Sequence, residues 1–207
     1  MKNPSTTDLS YDPSRSVSSP LPWLEGAIYL EWIGEGQMDG SLLNRVQTHI
    51  EEVFHCRTRV RIRKGSIPLA FDPNRKQHSS TVILRWLLEG LPRDARKVLA
   101  VTDRDLFIPI LTFVFGEAQL GGRGAVVSTA RLREESGGRS GNPGLFLNRL
   151  LKECLHELGH TFGLTHCANS GCVMERSNTV FDVDRKNRAF CQDCAVLLGD
   201  LLREEGK

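Results

Sequence analysis

The stretch from His156 to His166, His-Glu-Leu-Gly-His-Thr-Phe-Gly-Leu-Thr-His, constrains this chain more than any other, because it reads H-E-x-x-H-x-x-G-x-x-H. His156 and His160 are four residues apart, so on a helix they stack on one face and can grip a single metal ion. Gly163 lacks a Cβ and can take φ > 0, which ends the helix and turns the chain back so that His166 reaches the same ion. Three neutral imidazoles leave the fourth tetrahedral position of Zn²⁺ open, the arrangement of a catalytic rather than a structural site. Glu157 is then the candidate general base beside that position. At average residue usage the full pattern arises by chance on the order of once in 10⁵ chains of this length.

The flanking residues predict the helix. Leu147, Leu150, Leu151, Cys154, Leu155, Leu158 and Phe162 recur at spacings of three and four and fill one arc of the wheel, with the two histidines on the other side. Pro143 suits the first turn and Asn142 the cap before it. Glu153, one turn before Glu157, reads as an exposed helix carboxylate.

A second cluster follows. Cys167, Cys172, Cys191 and Cys194 form C-x4-C and C-x2-C, the spacing of a closed tetrathiolate zinc site, with two disulfides or a redox pair as rivals. The combination H-E-x-x-H-x-x-G-x-x-H-C-x4-C-x-M with a later C-x-x-C resembles the archaemetzincins, a family of metzincin-type zinc peptidases. Sixteen residues separate Met174 from Cys191, one fewer than in the family pattern, a deletion a loop tolerates. The resemblance implies that Met174 lies under the metal and that Gly124 to Leu132 holds the strand before the active helix. Where some other metzincins carry a zinc-binding tyrosine, two positions after the methionine, this chain has Arg176, so no tyrosine ligand is expected.

The same resemblance implies an α+β fold with an α/β-like upper lobe. It would hold a twisted mixed sheet of about five strands with an antiparallel strand at the cleft edge, packed on the active-site helix and others. We expect a tail over 1–22, an upper subdomain over 23–163 and a small zinc-stapled lower subdomain over 164–207. The edge strand, whose free backbone groups would pair with an extended peptide, is assigned to Thr112–Gly116.

The rest of the chain bounds the reading. With 207 residues, 40% of them hydrophobic, it can bury one substantial core. Its net charge of +2 is intermixed, and no apolar run approaches a membrane span, so neither nucleic acid nor membrane is an expected partner. Met1 to Pro22 has six serines and four prolines and no hydrophobic period, which predicts a disordered tail without the apolar core of a signal peptide. A cytoplasmic monomer is expected, with the cysteines in a reducing compartment. An inhibitory role for Asp8 or Asp12 of the tail is a remote alternative.

Between these landmarks, strands are expected near Ala27–Leu30 and Val98–Thr102, and helices through Leu42–Phe54 and from Ser79 or Ser80 to Gly90. Arg57, Arg59, Arg61 and Arg63 alternate on one solvated strand face, Gly65 to His78 reads as a loop, and Asp103 and Asp105 as solvated loop carboxylates. The function expected is a zinc-dependent metallopeptidase with two Zn²⁺ per chain and Glu157 as general base and acid. The alternatives are a non-catalytic or latent zinc-stabilised peptide-binding protein, and a hydrolase of another bond, such as a non-peptide amide. Glu157 argues for hydrolysis, since a pure scaffold needs no base beside its metal.

Overall fold

Strand alternation divides the interior of the protein, a computed structural model of which describes residues 24–36, 39–63, 67, 70–133 and 142–205. The strands β1 (Leu24–Trp32), β2 (Cys56–Ile62), β5 (Ala95–Thr102), β7 (Gly116–Ala118) and β8 (Gly124–Ser128) form one sheet in the order β2-β1-β5-β8-β7. The first four run parallel, and β7 is antiparallel to β8 at the edge. Residues Ile28, Leu30, Trp32, Leu99, Val101 and Val127 point to one face, where they pack with the helices α1 (Gly40–Phe54) and α3 (Pro143–Thr161). Ala27, Tyr29, Val98, Ala100 and Val126 point to the other and meet α2 (Ser80–Glu89). A parallel sheet covered on both faces must be apolar at consecutive positions, and Val98–Val101 is buried throughout.

The expected cap Asn142 forms at α3 and Asp39 caps α1, whereas Ser79 at the start of α2 makes no side-chain cap hydrogen bond. Asp39 accepts a hydrogen bond from Ser41 N at α1, and Asn142 Oδ1 accepts from Gly144 N and Leu145 N at α3, with Pro143 in the first turn. His55 closes α1 in the left-handed conformation, φ 47°, so that β2 can begin at once. After α3 the chain forms loops, a short helix α4 (Val180–Arg185) with a Thr179/Asp182 capping box, and the C-terminal helix α5 (Gln192–Glu205).

Four expectations are corrected. The segment expected to be a loop up to His78 contributes β3 (Phe71–Asp72) and β4 (Gln77–Ser79), which with β6 (Leu106–Phe107) make a second, three-stranded sheet. The cleft-edge strand is Gly116–Ala118 rather than Thr112–Gly116; before it, Val114 makes only an isolated bridge to Leu106. The apolar alternation of Phe113 and Phe115 marks a packed pair, ring centroids 5.3 Å apart, and not a ladder. Asp105 is not simply solvated, because Arg131 clamps both its oxygens at 2.8 Å and Gln77 donates at 2.9 Å. The arginine face of β2 is largely neutralised. In parallel register Tyr29 lies beside Arg59 and Glu31 beside Arg61, and Arg59 also pairs with Asp94 at 2.9 Å while Arg63 covers the Trp86 ring at 3.7 Å. The tail of residues 1–22, with Asp8 and Asp12, lies outside the described residues.

Candidate metal centres and catalytic cleft

The axis of the site is α3, which carries His156, Glu157 and His160 from the core into an open cleft under β7. One side of the helix is fixed by Leu150, Leu151, Cys154, Leu155 and Leu158, all buried in the main core. The helix ends where the sequence requires it: Phe162 is the C-cap, Gly163 has φ 105°, and its N–H donates to His160 O at 3.0 Å. Buried Lys97 holds the same end from outside, donating to Thr161 O at 2.8 Å, to Gly122 O at 2.9 Å and to Glu205 Oε1 at 2.8 Å.

The three histidines of the motif converge. His156 Nδ1 is 2.8 Å from Val173 O and His160 Nδ1 is 2.7 Å from Leu164 O. A carbonyl only accepts, so each Nδ1 is the protonated nitrogen and each Nε2 carries a free lone pair. Those two Nε2 atoms face one another at 3.2 Å with no proton to share. Zn–N bonds of about 2.0–2.1 Å in a tetrahedron set neighbouring nitrogens about 3.3 Å apart, so the pair fits a common zinc ion. His166 completes the triangle, its ring centroid 5.3 Å from that of His156 and 4.9 Å from that of His160, and the ligand atoms of all three lie within 4.8 Å of one another. Burial is the main cause that lowers all three imidazole pKa values, most strongly at His156, and it keeps the rings neutral as ligands must be.

Glu157 points into the cleft against the backbone of β7. Burial, and next the nearby Glu153 carboxylate, push its pKa well above the usual carboxylate range, which suits a group that must accept and release a proton. Two glycines make its position and that of its neighbours possible. A Cβ on Gly116 would lie 2.6 Å from Glu157 Cγ, and one on Gly159 would lie 2.6 Å from Met174 Sδ. Met174 is fully buried directly beneath α3, where the resemblance put it.

Sequence reasoning missed the residue that faces Glu153. Glu153 is buried, not exposed, and accepts a hydrogen bond from Lys186 Nζ at 2.8 Å, with Lys186 also buried. Beside this pair, Arg149 grips Asp184 with two 2.7 Å bonds, and Lys152 donates to Val183 O and Asp184 O. A run of charged residues on the first turns of a helix reads as a solvated face from spacing alone. The usable signal was that Glu153, Lys152 and Arg149 fall three, four and seven positions before His156, on flanks of a helix whose last turns must be enclosed.

The cysteines form a second centre next to the first. Cys167, Cys172, Cys191 and Cys194 bring their sulfurs within 4.8 Å of one another, and Cys167 Sγ is 3.7 Å from Cys191 Sγ. Zn–S bonds of about 2.3 Å set tetrahedral sulfurs about 3.8 Å apart, whereas a disulfide needs about 2.05 Å. All four are free thiols, and the geometry favours a metal over either disulfide arrangement. Asn169, donating from Nδ2 at 3.3 Å, is the main cause that lowers the Cys191 thiol to about 6, while burial pushes Cys194 up. The two centres share a frame: Cys167 N donates to Met174 O at 2.9 Å, and Val173, whose carbonyl orients His156, follows Cys172 directly.

The cleft itself has a volume of about 520 Å³. Its lining includes the apolar Ile108, Ile110 and Phe113, the polar Thr112 and Glu117, and Arg176, Ser177 and Asn178. No helix among the described residues is long and apolar enough to cross a membrane.

Comparison with known proteins agrees with this chemistry. The model of peptidase family M54 matches residues 94–200, which include every candidate ligand and Glu157. The archaemetzincin of Methanocaldococcus jannaschii is 40% identical over 167 residues, 80% of this chain and 89% of that protein. The crystal structure of archaemetzincin from Methanopyrus kandleri superposes with a TM-score of 0.76 at 36% identity, covering 86% of this chain and 96% of that one. A zinc-dependent peptidase from Methanocorpusculum labreanum gives a TM-score of 0.72 at 32% identity over 83% of this chain and 99% of that one. With a family model spanning more than half its length and relatives of this similarity over most of it, the chain belongs to peptidase family M54, the archaemetzincins, and is a zinc metallopeptidase.

Proposed function

We propose that this enzyme cleaves peptide bonds in extended substrates, with His156, His160 and His166 holding a catalytic Zn²⁺ and Glu157 acting as general base and then general acid. The observation that carries the proposal is the 3.2 Å convergence of two Nε2 atoms whose rings are locked through Nδ1, with a buried carboxylate beside them at the floor of an open cleft. When bound there, zinc supplies a Lewis acid that activates water and polarises the scissile carbonyl.

The protein's own groups supply the rest. Glu157 takes a proton from the attacking water and later gives it to the departing amine; its raised pKa brings both protonation states within reach. Among the described residues the outer edge of β7 has no strand partner in the sheet, so an extended peptide can add there as a further strand and lay its scissile bond across the site. Gly116, at the start of β7, lets that backbone approach Glu157 closely.

The four cysteines are assigned a second, structural Zn²⁺. On this reading residues 23–163 form the upper subdomain and 164–207 a lower one stapled by the cysteine site. Free thiols at that site suit a reducing compartment, which supports a cytoplasmic enzyme, and the cleft needs nothing from a second copy, which supports a monomer. The test is to offer an unbiased peptide mixture to zinc-loaded wild type and Glu157→Ala and to read the products by mass spectrometry. Cuts made only by the wild type are expected. Identical products from both, or none from a protein that holds both metals, would remove the proposed role of Glu157 or the peptidase reading itself.

A further inference from the structure

Two residues beyond Met174 the chain returns to the cleft and places three consecutive polar side chains, Arg176, Ser177 and Asn178, along its lower wall. Arg176 is exposed, and it makes no hydrogen bond or ion pair with another described residue. Among the described residues it is the one cation lining the cleft. Each carboxylate of the cleft is occupied elsewhere or set apart: Glu153 by Lys186, Glu117 by the Thr81 hydroxyl at 3.2 Å, and Glu157 by its place under β7. Beside Arg176, the Ser177 Oγ is buried and has no hydrogen-bond partner among the described residues.

A buried hydroxyl without a partner is costly, and native proteins rarely leave one unless something else supplies the bond. A guanidinium is a planar fork of donors that fits one chemical group best, a carboxylate gripped through two parallel hydrogen bonds. An unpaired arginine and an unpartnered hydroxyl on adjacent residues of a substrate cleft therefore form the receptor for an anion carried by the substrate. Among the described residues lining the cleft, Ile108, Ile110, Leu111 and Phe113 are apolar and Thr112 is uncharged, so none of them supplies a cation that could compete for that group.

Building on the peptidase reading, we infer that Arg176, together with the Ser177 hydroxyl, determines specificity by selecting peptides that carry a carboxylate next to the scissile bond. Two sources present this chemistry, an Asp or Glu side chain and the free C-terminus of a short peptide. They differ in what the enzyme would be: the first gives an endopeptidase for acidic sequences, the second a carboxypeptidase-like enzyme.

The experiment uses the full-length, zinc-loaded protein and one peptide core made in four forms, with Glu or Gln flanking the cut and with a free acid or an amide at the C-terminus. Wild type is expected to favour one carboxylate-bearing form over its neutral partner by about tenfold to a hundredfold in kcat/KM, the worth of a charge-assisted hydrogen bond. In Arg176→Gln that ratio should collapse towards one, with the change carried mainly by KM. In Arg176→Glu the preference should pass to Lys-bearing peptides. The Glu-against-Gln pair and the acid-against-amide pair identify the source. A wild type indifferent to both overturns the inference, as does an Arg176→Gln variant that slows acidic and neutral peptides equally through kcat. Binding of the same peptides to Glu157→Gln, with and without Arg176→Gln, separates recognition from turnover. If the doubly substituted protein binds the acidic forms as tightly as Glu157→Gln, the inference fails whatever the peptidase assay shows. If the acidic preference in binding depends on Arg176 while wild type cleaves nothing, recognition stands and the peptidase reading fails.

Discussion

Gly116 and Glu157 occupy complementary space: the first has no side chain, and the carboxylate arm of the second fills the volume a Cβ would take, 2.6 Å from the ideal Cβ position. The edge strand and the proposed general base are thereby set against each other with no intervening group. Gly116→Ala should leave the sheet intact, because Gly116 has an ordinary φ and sits at the first position of β7. It should push the Glu157 side chain aside by a fraction of an ångström to an ångström, and misplacement on that scale costs about a hundredfold in rate. Steady-state kinetics with an unchanged far-UV circular dichroism spectrum and unchanged zinc content are expected. Wild-type kcat in this variant would show that Glu157 does not work from the position seen.

The buried Glu153–Lys186 pair joins α3 to the segment after α4, and both partners are almost fully enclosed. Removing one charge strands the other in a low-dielectric site. Lys186→Met should therefore lower stability by about 3–5 kcal/mol, the usual cost of breaking a buried pair. Replacing both, as Glu153→Leu with Lys186→Met, should recover most of that loss, because two apolar groups need no partner. Urea denaturation of the zinc-loaded proteins measures both. Equal stabilities for the single and the double variant would mean that the two residues act independently.

Lys97 joins three elements at one ammonium group, the end of α3 through Thr161 O, the turn before β8 through Gly122 O, and α5 through Glu205. Its pKa is lowered by burial, a sign that the charge is held there at some cost and by specific partners. Lys97→Met keeps the bulk but leaves Thr161 O, near the end of the catalytic helix, without this donor. A loss of about 1–3 kcal/mol is expected, the penalty of an unsatisfied buried group. Hydrogen exchange should locate it at Leu158–Gly163, with faster exchange there than in the centre of the sheet. Uniform acceleration across the protein would instead indicate a general loss of packing.

These relationships differ in how visible they are in the sequence. The histidine motif and the cysteine pairs were legible because their ligands lie close in the chain and helix geometry converts spacing into direction. The strands β1 and β5 were legible because buried parallel strands are written as apolar runs. The edge strand was not. Gly116-Glu-Ala118 has no strand propensity, and its pairing comes from β8, which folds back over a five-residue connection. Nearby Phe113 and Phe115 carried the stronger local signal and drew the predicted start four residues too early. Glu153 was misread for a related reason. Its partner lies 33 residues away, and only the tertiary fold shows that the helix is enclosed on that side. Gly116 and Gly159 likewise reveal their purpose only through what packs against them.

The two candidate metal centres meet at a single peptide bond, between His166 and Cys167, and the loop around it is tied to the segment under α3. Cys167 N donates to Met174 O, and Val173 O orients His156 from the residue that follows Cys172. If the sulfurs hold a structural zinc, losing one of them releases this loop, and with it both the third histidine and the carbonyl that fixes the tautomer of the first. Outer partners of that kind alter metal affinity by about tenfold to a hundredfold when they are lost. Cys172→Ser is therefore expected to weaken the three-histidine site by that factor although Cys172 belongs to the other cluster. Competition with a chelator, followed by titration of zinc or cobalt and the cobalt absorption spectrum, separates the two sites, because thiolate and imidazole sites give different bands. A Cys172→Ser protein whose histidine site retains full affinity would mean that the loop is held by its backbone bonds alone, with the cysteine site stabilising only α5 and its neighbours.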